Sequence, residues 1–374
     1  MPQAPLIAEA GDLQDLMARL VGETTIALDT EASSFHRFHE RIGLIQLSNR
    51  QDTWLIDPLA VQNMDGLGQL LGSVQGETVV HDADFDLRLL KRMYGFRVRH
   101  IFDTLIAAEL INEPELGLAS LLRKYFGIQL DKRYQKADWT KRPLTEGMLE
   151  YAAMDTRHLI ALRDLLAQQL HALGRMAWAE EEFALLTEVP FQTNDAHTPA
   201  FLRLKGAKAL KPKELAVLRE LHAWRDGVAA RLDRASFMVL GNDVLIALSR
   251  QPVDTLTDLG NLKGVGQTAV SRYGPDILQA LQQGLLAPKD QWPRVERPKR
   301  HPRDPLLEER MKRLKAVRDD LATRLELRPG VVFPNHLLTD IARAKPATAT
   351  ELLAVPGIRK YQVQEFGREL LDVV

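Results

Sequence analysis

Residues 24–28, Thr-Thr-Ile-Ala-Leu, are β-branched or apolar and read as a buried strand of a sheet. The strand runs straight into two acids, Asp29 and Glu31. In extended backbone, residues two apart point to the same side, so these carboxylates face one another's field. Their repulsion is tolerable where a divalent cation sits between them, and oxygen ligands suit Mg²⁺ or Mn²⁺. An ordinary strand end with solvated acids has the same local sequence, so the rest of the chain must decide.

The chain in order supplies a sheet and its cover. Residues 11–20 read as a helix, residues 42–48 and 53–57 as strands joined by the turn Arg50-Gln51-Asp52, and residues 78–81 as a further strand. Residues 85–90 have helical spacing, with Gly95 as the stop. Asp103 precedes an apolar helix at 104–110 and reads as its N-cap, a structural role. Residues 118–126 form a helix ended by Gly127, and Thr145 caps a long helix that carries Tyr151 and Asp155 and runs towards Gly174. The interleaving predicts an α/β domain, a mixed sheet packed by helices. Four acids, Asp29, Glu31, Asp86 and Asp155, fall near element ends, and Tyr151 shares a helix face with Asp155 at four residues' spacing. Several carboxylates on one site suit a pair of metals that activates a water and stabilises the leaving oxygen of a phosphodiester.

Composition narrows the chemistry. With 374 residues, two or three domains are expected. The absence of cysteine excludes thiol catalysis, disulfides and zinc-thiolate sites. His36 and His39 then read as loop residues rather than zinc ligands. No apolar run approaches a membrane span, and Met1-Pro2-Gln3 does not open a signal peptide, so a cytoplasmic protein without membrane contact is expected. The net charge of −1 hides an asymmetry: residues 1–190 carry −9 and residues 191–374 carry +8. An acidic half joined to a basic half suits a metal-using site coupled to polyanion binding.

The basic half repeats. Arg225-Asp226, Asn242, Leu245 and Gly264 recur as Arg318-Asp319, Asn335, Leu338 and Gly357, every pair 93 residues apart. A constant offset indicates two copies of one helical module. In each copy a glycine turn follows an apolar helix, at Leu262-Lys263-Gly264-Val265-Gly266 and at Val355-Pro356-Gly357-Ile358-Arg359. Such a turn resembles one that offers backbone N–H groups to phosphate, and a plain helix–helix turn is the alternative for both. Pro288 to Pro305, with Arg294, Arg297, Lys299, Arg300 and Arg303, reads as a basic linker. Residues 123–142 hold seven cations against two acids, a phosphate-binding rim or a solvated loop.

Three stretches carry a resemblance. Leu28-Asp29-Thr30-Glu31, then His81-Asp82-Ala83-Asp84-Phe85-Asp86, then Tyr151-Ala152-Ala153-Met154-Asp155 match in order the exonuclease motifs of the DEDD superfamily, tyrosine subclass. The flanks Ile42-Gly43-Leu44-Ile45-Gln46-Leu47-Ser48, Leu55-Ile56-Asp57-Pro58-Leu59, Asp138-Trp139 and Arg142-Pro143-Leu144-Thr145 resemble the ribonuclease D family, over residues 5–190. The repeated module looks like HRDC. The resemblance implies a ribonuclease H-like exonuclease domain (1–190), a linker (191–208), HRDC domain 1 (209–287), a basic linker (288–304) and an HRDC-like domain 2 (305–374). It implies a 3′→5′ exoribonuclease that releases nucleoside 5′-monophosphates and trims precursor tRNA 3′ ends and other structured small RNAs, as a monomer using two divalent cations, Mg²⁺ or Mn²⁺. In that reading Asp29, Glu31 and Asp155 ligate the metal that activates water, Asp29 bridges to the second, Asp86 supports the second, and Tyr151 orients the water. A 3′→5′ DNA exonuclease, or a nucleic-acid-binding protein with a dead site, stays open as the alternative.

Overall fold

In the computed structural model, which describes residues 4–73, 76–188, 198–295 and 304–374, six strands form one sheet. They are β1 (Leu6–Ile7), β2 (Thr25–Ala32), β3 (Ile42–Ser48), β4 (Thr53–Ile56), β5 (Glu77–Val80) and β6 (Ile101–Asp103). The strand order is β1-β4-β3-β2-β5-β6. β3 pairs antiparallel with β4, while β1 with β4, β2 with β5, and β5 with β6 are parallel. The expected mixed sheet is therefore present. β1 and β6 have two and three residues, too few to show a period in sequence. β2 does not stop at Leu28: it continues through both acids to Ala32. The single long helix expected from Thr145 is two, Glu146–Arg157 and Leu159–Ala172, interrupted at His158.

The described residues fall into two compact units. The first takes Met1–Glu31, Ile42–Phe191 and Arg300–Val374, so the second repeat copy belongs with the sheet. One apolar core runs from Ala27, Val79 and Phe102 on the sheet, through Leu162, Leu166 and Trp178 on the covering helices, to Leu314, Phe333, Leu338 and Leu370 of that copy. The second unit takes Ala32–Arg41 and Gln192–Lys299. Its core packs the helix Pro212–Leu232 against Gln267–Leu286. Phe201, Ala207 and Leu210 join that core, so the end of the first expected linker is folded. Residues 189–197 and 296–303, with most of the basic stretch after Pro288, lie outside the described residues. Within the second unit, the loop after β2 docks on the first repeat copy: Phe38 packs on Val228, Ala229 and Val239, and the His39 N–H donates to Asp233 at 3.0 Å.

The repeat is visible in atomic detail. Arg225 Nη1 donates to Asn242 Oδ1 at 2.6 Å, and Arg318 Nη1 donates to Asn335 Oδ1 at 2.8 Å. Thr255 and Thr348 each cap the next helix, and Gly264 and Gly357 hold φ of +92° and +87°, a region that strongly favours glycine. Among the described residues no helix is long and apolar enough to cross a membrane.

One cation, Arg142, fastens the segment 130–144 to β3 and to the end of β4. Arg142 donates to both oxygens of the buried Asp57 at 2.6 Å, to the Gly43 carbonyl at 2.8 Å and to the Trp139 carbonyl at 2.8 Å. This lays Trp139 so close to β3 that a Cβ on Gly43 would stand 2.6 Å from the Trp139 carbonyl oxygen. Trp139 is 1% exposed and has little room to retreat. Gly43→Ala is therefore expected to cost about 1–3 kcal/mol, the usual range for overpacking, read as a lower urea midpoint with an unchanged slope. A variant as stable as the parent would show that the segment yields.

Candidate active site

Asp29 and Glu31 stand two apart on β2 and face one side; Asp155 comes from the helix Glu146–Arg157. One carboxylate oxygen from each lies within 4.8 Å of the others, and all three residues are half-buried. Among the described residues this is the one cluster of its kind. The helix is pinned to the sheet beside Asp155 by a buried hydroxyl chain: Ser48 Oγ lies 2.8 Å from Thr156 Oγ1 and 2.8 Å from Thr53 Oγ1.

Asp86 stands outside the trio on the helix Asp84–Tyr94 and accepts a hydrogen bond from the Thr30 hydroxyl. Its helix is positioned by Asp103. That carboxylate accepts the N–H groups of Asp82 at 3.1 Å and Ala83 at 2.9 Å, and also caps the following helix through Leu105 N–H at 2.8 Å. The structural role expected for Asp103 is present and is larger than expected, because it also holds Asp82 in the left-handed region at φ +61°. His81 completes the corner, with Nδ1 2.9 Å from Thr104 Oγ1.

Tyr151 lies one turn before Asp155, half-buried. Its ring packs against Tyr134 and Trp139, each with its centroid 6.0 Å away. The segment 130–144 therefore orients Tyr151. Of its cations and those just before it, Arg123 pairs with Glu115, Lys124 with Glu113, Arg133 with Asp131 and Arg142 with Asp57. Arg142 is thus a structural residue rather than part of an open phosphate rim.

The electrostatics are those of acids confined together. Burial, then the charges of Asp86, Asp155 and Glu31, push Asp29 well above the usual carboxylate range. Burial, then Asp155 and Asp86, do the same to Glu31. Burial raises Asp86 and Asp155 to about 7 each. Burial and the carboxylates of Asp155, Glu31 and Asp29 push the Tyr151 hydroxyl above its ordinary value. The donors are all hard oxygens, and the repulsion they store is relieved by a small divalent cation, so the residues fit Mg²⁺ or Mn²⁺.

Of the five residues expected from the sequence, the structure gathers Asp29, Glu31 and Asp155 in one cluster, with Tyr151 one turn from Asp155 and Asp86 outside the trio; the sequence reading did not name Thr30, Ser48 or Thr156 as their neighbours. Ser48 and Thr156 leave a faint signal, hydroxyls inside otherwise apolar stretches.

Comparison with known proteins gives the family. Residues 6–171 match the family described as 3′-5′ exonuclease, and residues 214–281 and 308–374 each match the HRDC domain. The ribonuclease D of Shewanella sp. (strain ANA-3) is 32% identical over 282 residues, 75% of this chain and 72% of that protein. The ribonuclease D of Pseudomonas paraeruginosa (strain DSM 24068 / PA7) is 29% identical over 93% of this chain and 92% of its own length. The crystal structure of Escherichia coli RNase D shares the fold, with a TM-score of 0.72 at 24% identity, covering 100% of this chain and 98% of that one. Exonucleases of this superfamily depend on divalent metal ions. With the exonuclease and HRDC matches and these relatives over most of its length, the chain belongs to the ribonuclease D family and is a 3′→5′ exoribonuclease.

Proposed function

We propose that Asp29, Glu31, Asp86, Tyr151 and Asp155 form a two-cation hydrolytic centre that removes nucleotides from RNA 3′ ends, including those of precursor tRNA and other structured small RNAs. The observation that carries this reading is the convergence of Asp29, Glu31 and Asp155 from two distant segments, with Tyr151 one turn from Asp155. In the same reading residues 1–190 are the exonuclease domain, and residues 209–287 and 305–374 the HRDC modules.

Asp29, Glu31 and Asp155 would hold one divalent cation, and Asp29 with Asp86 the second. Bound there, the cations supply Lewis-acid activation of a water and neutralise charge on the departing oxygen. The water oxygen bonds to the terminal phosphorus as the bond to the 3′ oxygen breaks. The water's proton goes by net transfer to that oxygen, which leaves a new 3′ hydroxyl and a nucleoside 5′-monophosphate. Tyr151 holds the attacking water by a hydrogen bond. Burial and then the nearby carboxylates push its pKa up in the cation-free site, which supports a role in positioning the water over that of a base. Thr30 fixes the Asp86 carboxylate by a hydrogen bond, and the Ser48–Thr156 contact fixes the register of the helix under Asp155.

Asp29→Asn or Asp155→Asn should fold and lose cleavage, because one lost ligand charge weakens cation binding and misplaces the water. Near-native activity of either pure variant in Mg²⁺ or Mn²⁺ would remove the carboxylates from the mechanism. Tyr151→Phe should lower turnover by roughly 10²–10⁴, the range for a positioned acid–base group, with RNA affinity nearly unchanged. An equal loss of affinity would make Tyr151 a substrate contact, and unchanged turnover a packing residue.

The pKa pattern predicts a pH dependence. Asp155 and Asp86 titrate at about 7 in the folded chain and at about 4 when unfolded. Between these values the folded state binds more protons, so stability falls as pH rises. The metal-free protein should lose melting temperature from pH 5 to pH 8 by more than its Asp155→Asn variant does. Added Mg²⁺ should stabilise the parent more at pH 8 than at pH 5, since cation and proton compete. Parallel melting curves for parent and variant across that range would refute the assignment.

A further inference from the structure

The two modules share a skeleton and differ at one turn. In the first, Lys263, Gly264, Gly266, Gln267 and Thr268 are all exposed where the turn enters the helix Gln267–Leu286, and no side chain caps that helix. In the second, the turn enters the helix Lys360–Leu371, and its N-terminus is occupied. Lys360 N–H donates to Glu181 Oε1 at 2.7 Å and Tyr361 N–H to Glu181 Oε2 at 3.0 Å. Beside them Arg359 grips Glu182 with two hydrogen bonds, of 2.8 and 3.0 Å. Both acids lie on the helix Met176–Glu188 of the exonuclease part. One carboxylate bridging adjacent backbone N–H groups, with a guanidinium at its flank, reproduces how such a turn would take a phosphate.

The substitutions between the copies are the residues that make this contact. At the 93-residue offset Gly266 becomes Arg359, and the exposed Thr268 becomes the buried Tyr361. Tyr361 stacks on Trp178 with centroids 5.0 Å apart and an interplanar angle of 13°. Arg328 pairs with Glu109 at 3.1 Å on the same seam. We infer that the second module is an intramolecular docking domain: Glu181 and Glu182 occupy its phosphate-type turn, and that turn does not bind RNA.

The contact is tested in the full-length chain by amide hydrogen exchange and RNA binding. Glu181→Ala removes the acceptor from a helix surface where alanine is well tolerated. Exchange of the Lys360 and Tyr361 amides should then rise by about tenfold or more, the effect of losing one such bond. Unchanged exchange would overturn the docking contact, and this arm does not depend on what the enzyme degrades. The second arm rests on the proposed RNA substrate and uses the Asp155→Asn background, so that a tRNA probe is not cut. Arg359→Gln should lower the melting temperature yet leave tRNA affinity within about twofold, and leave the slope of log affinity against log salt unchanged. A slope shallower by about 0.7–0.9, one phosphate contact, or a larger loss of affinity, would show that this turn does bind RNA. If Arg359→Gln does not fold, Lys360→Gln carries the same affinity readings.

Discussion

Like-charge repulsion among Asp29, Glu31, Asp155 and Asp86 is the interaction around which the exonuclease part is built. Left alone, such a cluster would spread apart or keep its protons; Asp29 and Glu31 show the second response, raised first by burial and then by the neighbouring carboxylates, while burial raises Asp155 and Asp86. The fold prevents the first. Asp29 and Glu31 cannot part because β2 sits inside the sheet. Asp155 cannot withdraw because Thr156 is hydrogen-bonded to Ser48 in a buried contact. Asp86 is held by the Thr30 hydroxyl and by a corner that Asp103 organises through backbone N–H groups. A site held against its own repulsion is pre-organised for a cation, which relieves the strain without any rearrangement of the scaffold.

The same logic extends to Tyr151. Its ring packs against Tyr134 and Trp139, and Trp139 in turn depends on Arg142 and on the missing side chain at Gly43. A cation that sequence alone could assign to RNA binding thus serves the active site indirectly, by neutralising the buried Asp57 and anchoring the segment that orients the tyrosine.

The tandem modules show how one sequence repeat supports two roles. The Arg–Asn hydrogen bond, the threonine caps and the positive-φ glycine recur because they build the module itself. The turn residues differ because one copy leaves its turn exposed and the other shares an apolar core with the exonuclease part. Sharing that core ties the second copy to the catalytic scaffold through both hydrophobic burial and charge-assisted hydrogen bonds.

Much of this was legible in the sequence because it is local or periodic. β3, the caps at Asp103 and Thr145, the stops at Gly95 and Gly127, and the 93-residue repeat each rest on contacts within a few residues or on a recurring pattern. The five proposed site residues came from the sequence because their spacing in three motifs matched a family. The continuation of β2 through its acids was not, since isolated acids disfavour a strand and only pairing within the sheet overrides that preference. The same holds for the Thr30–Asp86 and Ser48–Thr156 contacts, for Arg142 on Asp57, and for Glu181 on the second module's turn. Each joins residues between 56 and 179 positions apart, where sequence carries no register. Tertiary packing alone decides which donor meets which acceptor, because burial makes an unpaired polar group costly and so selects the pairings that leave few.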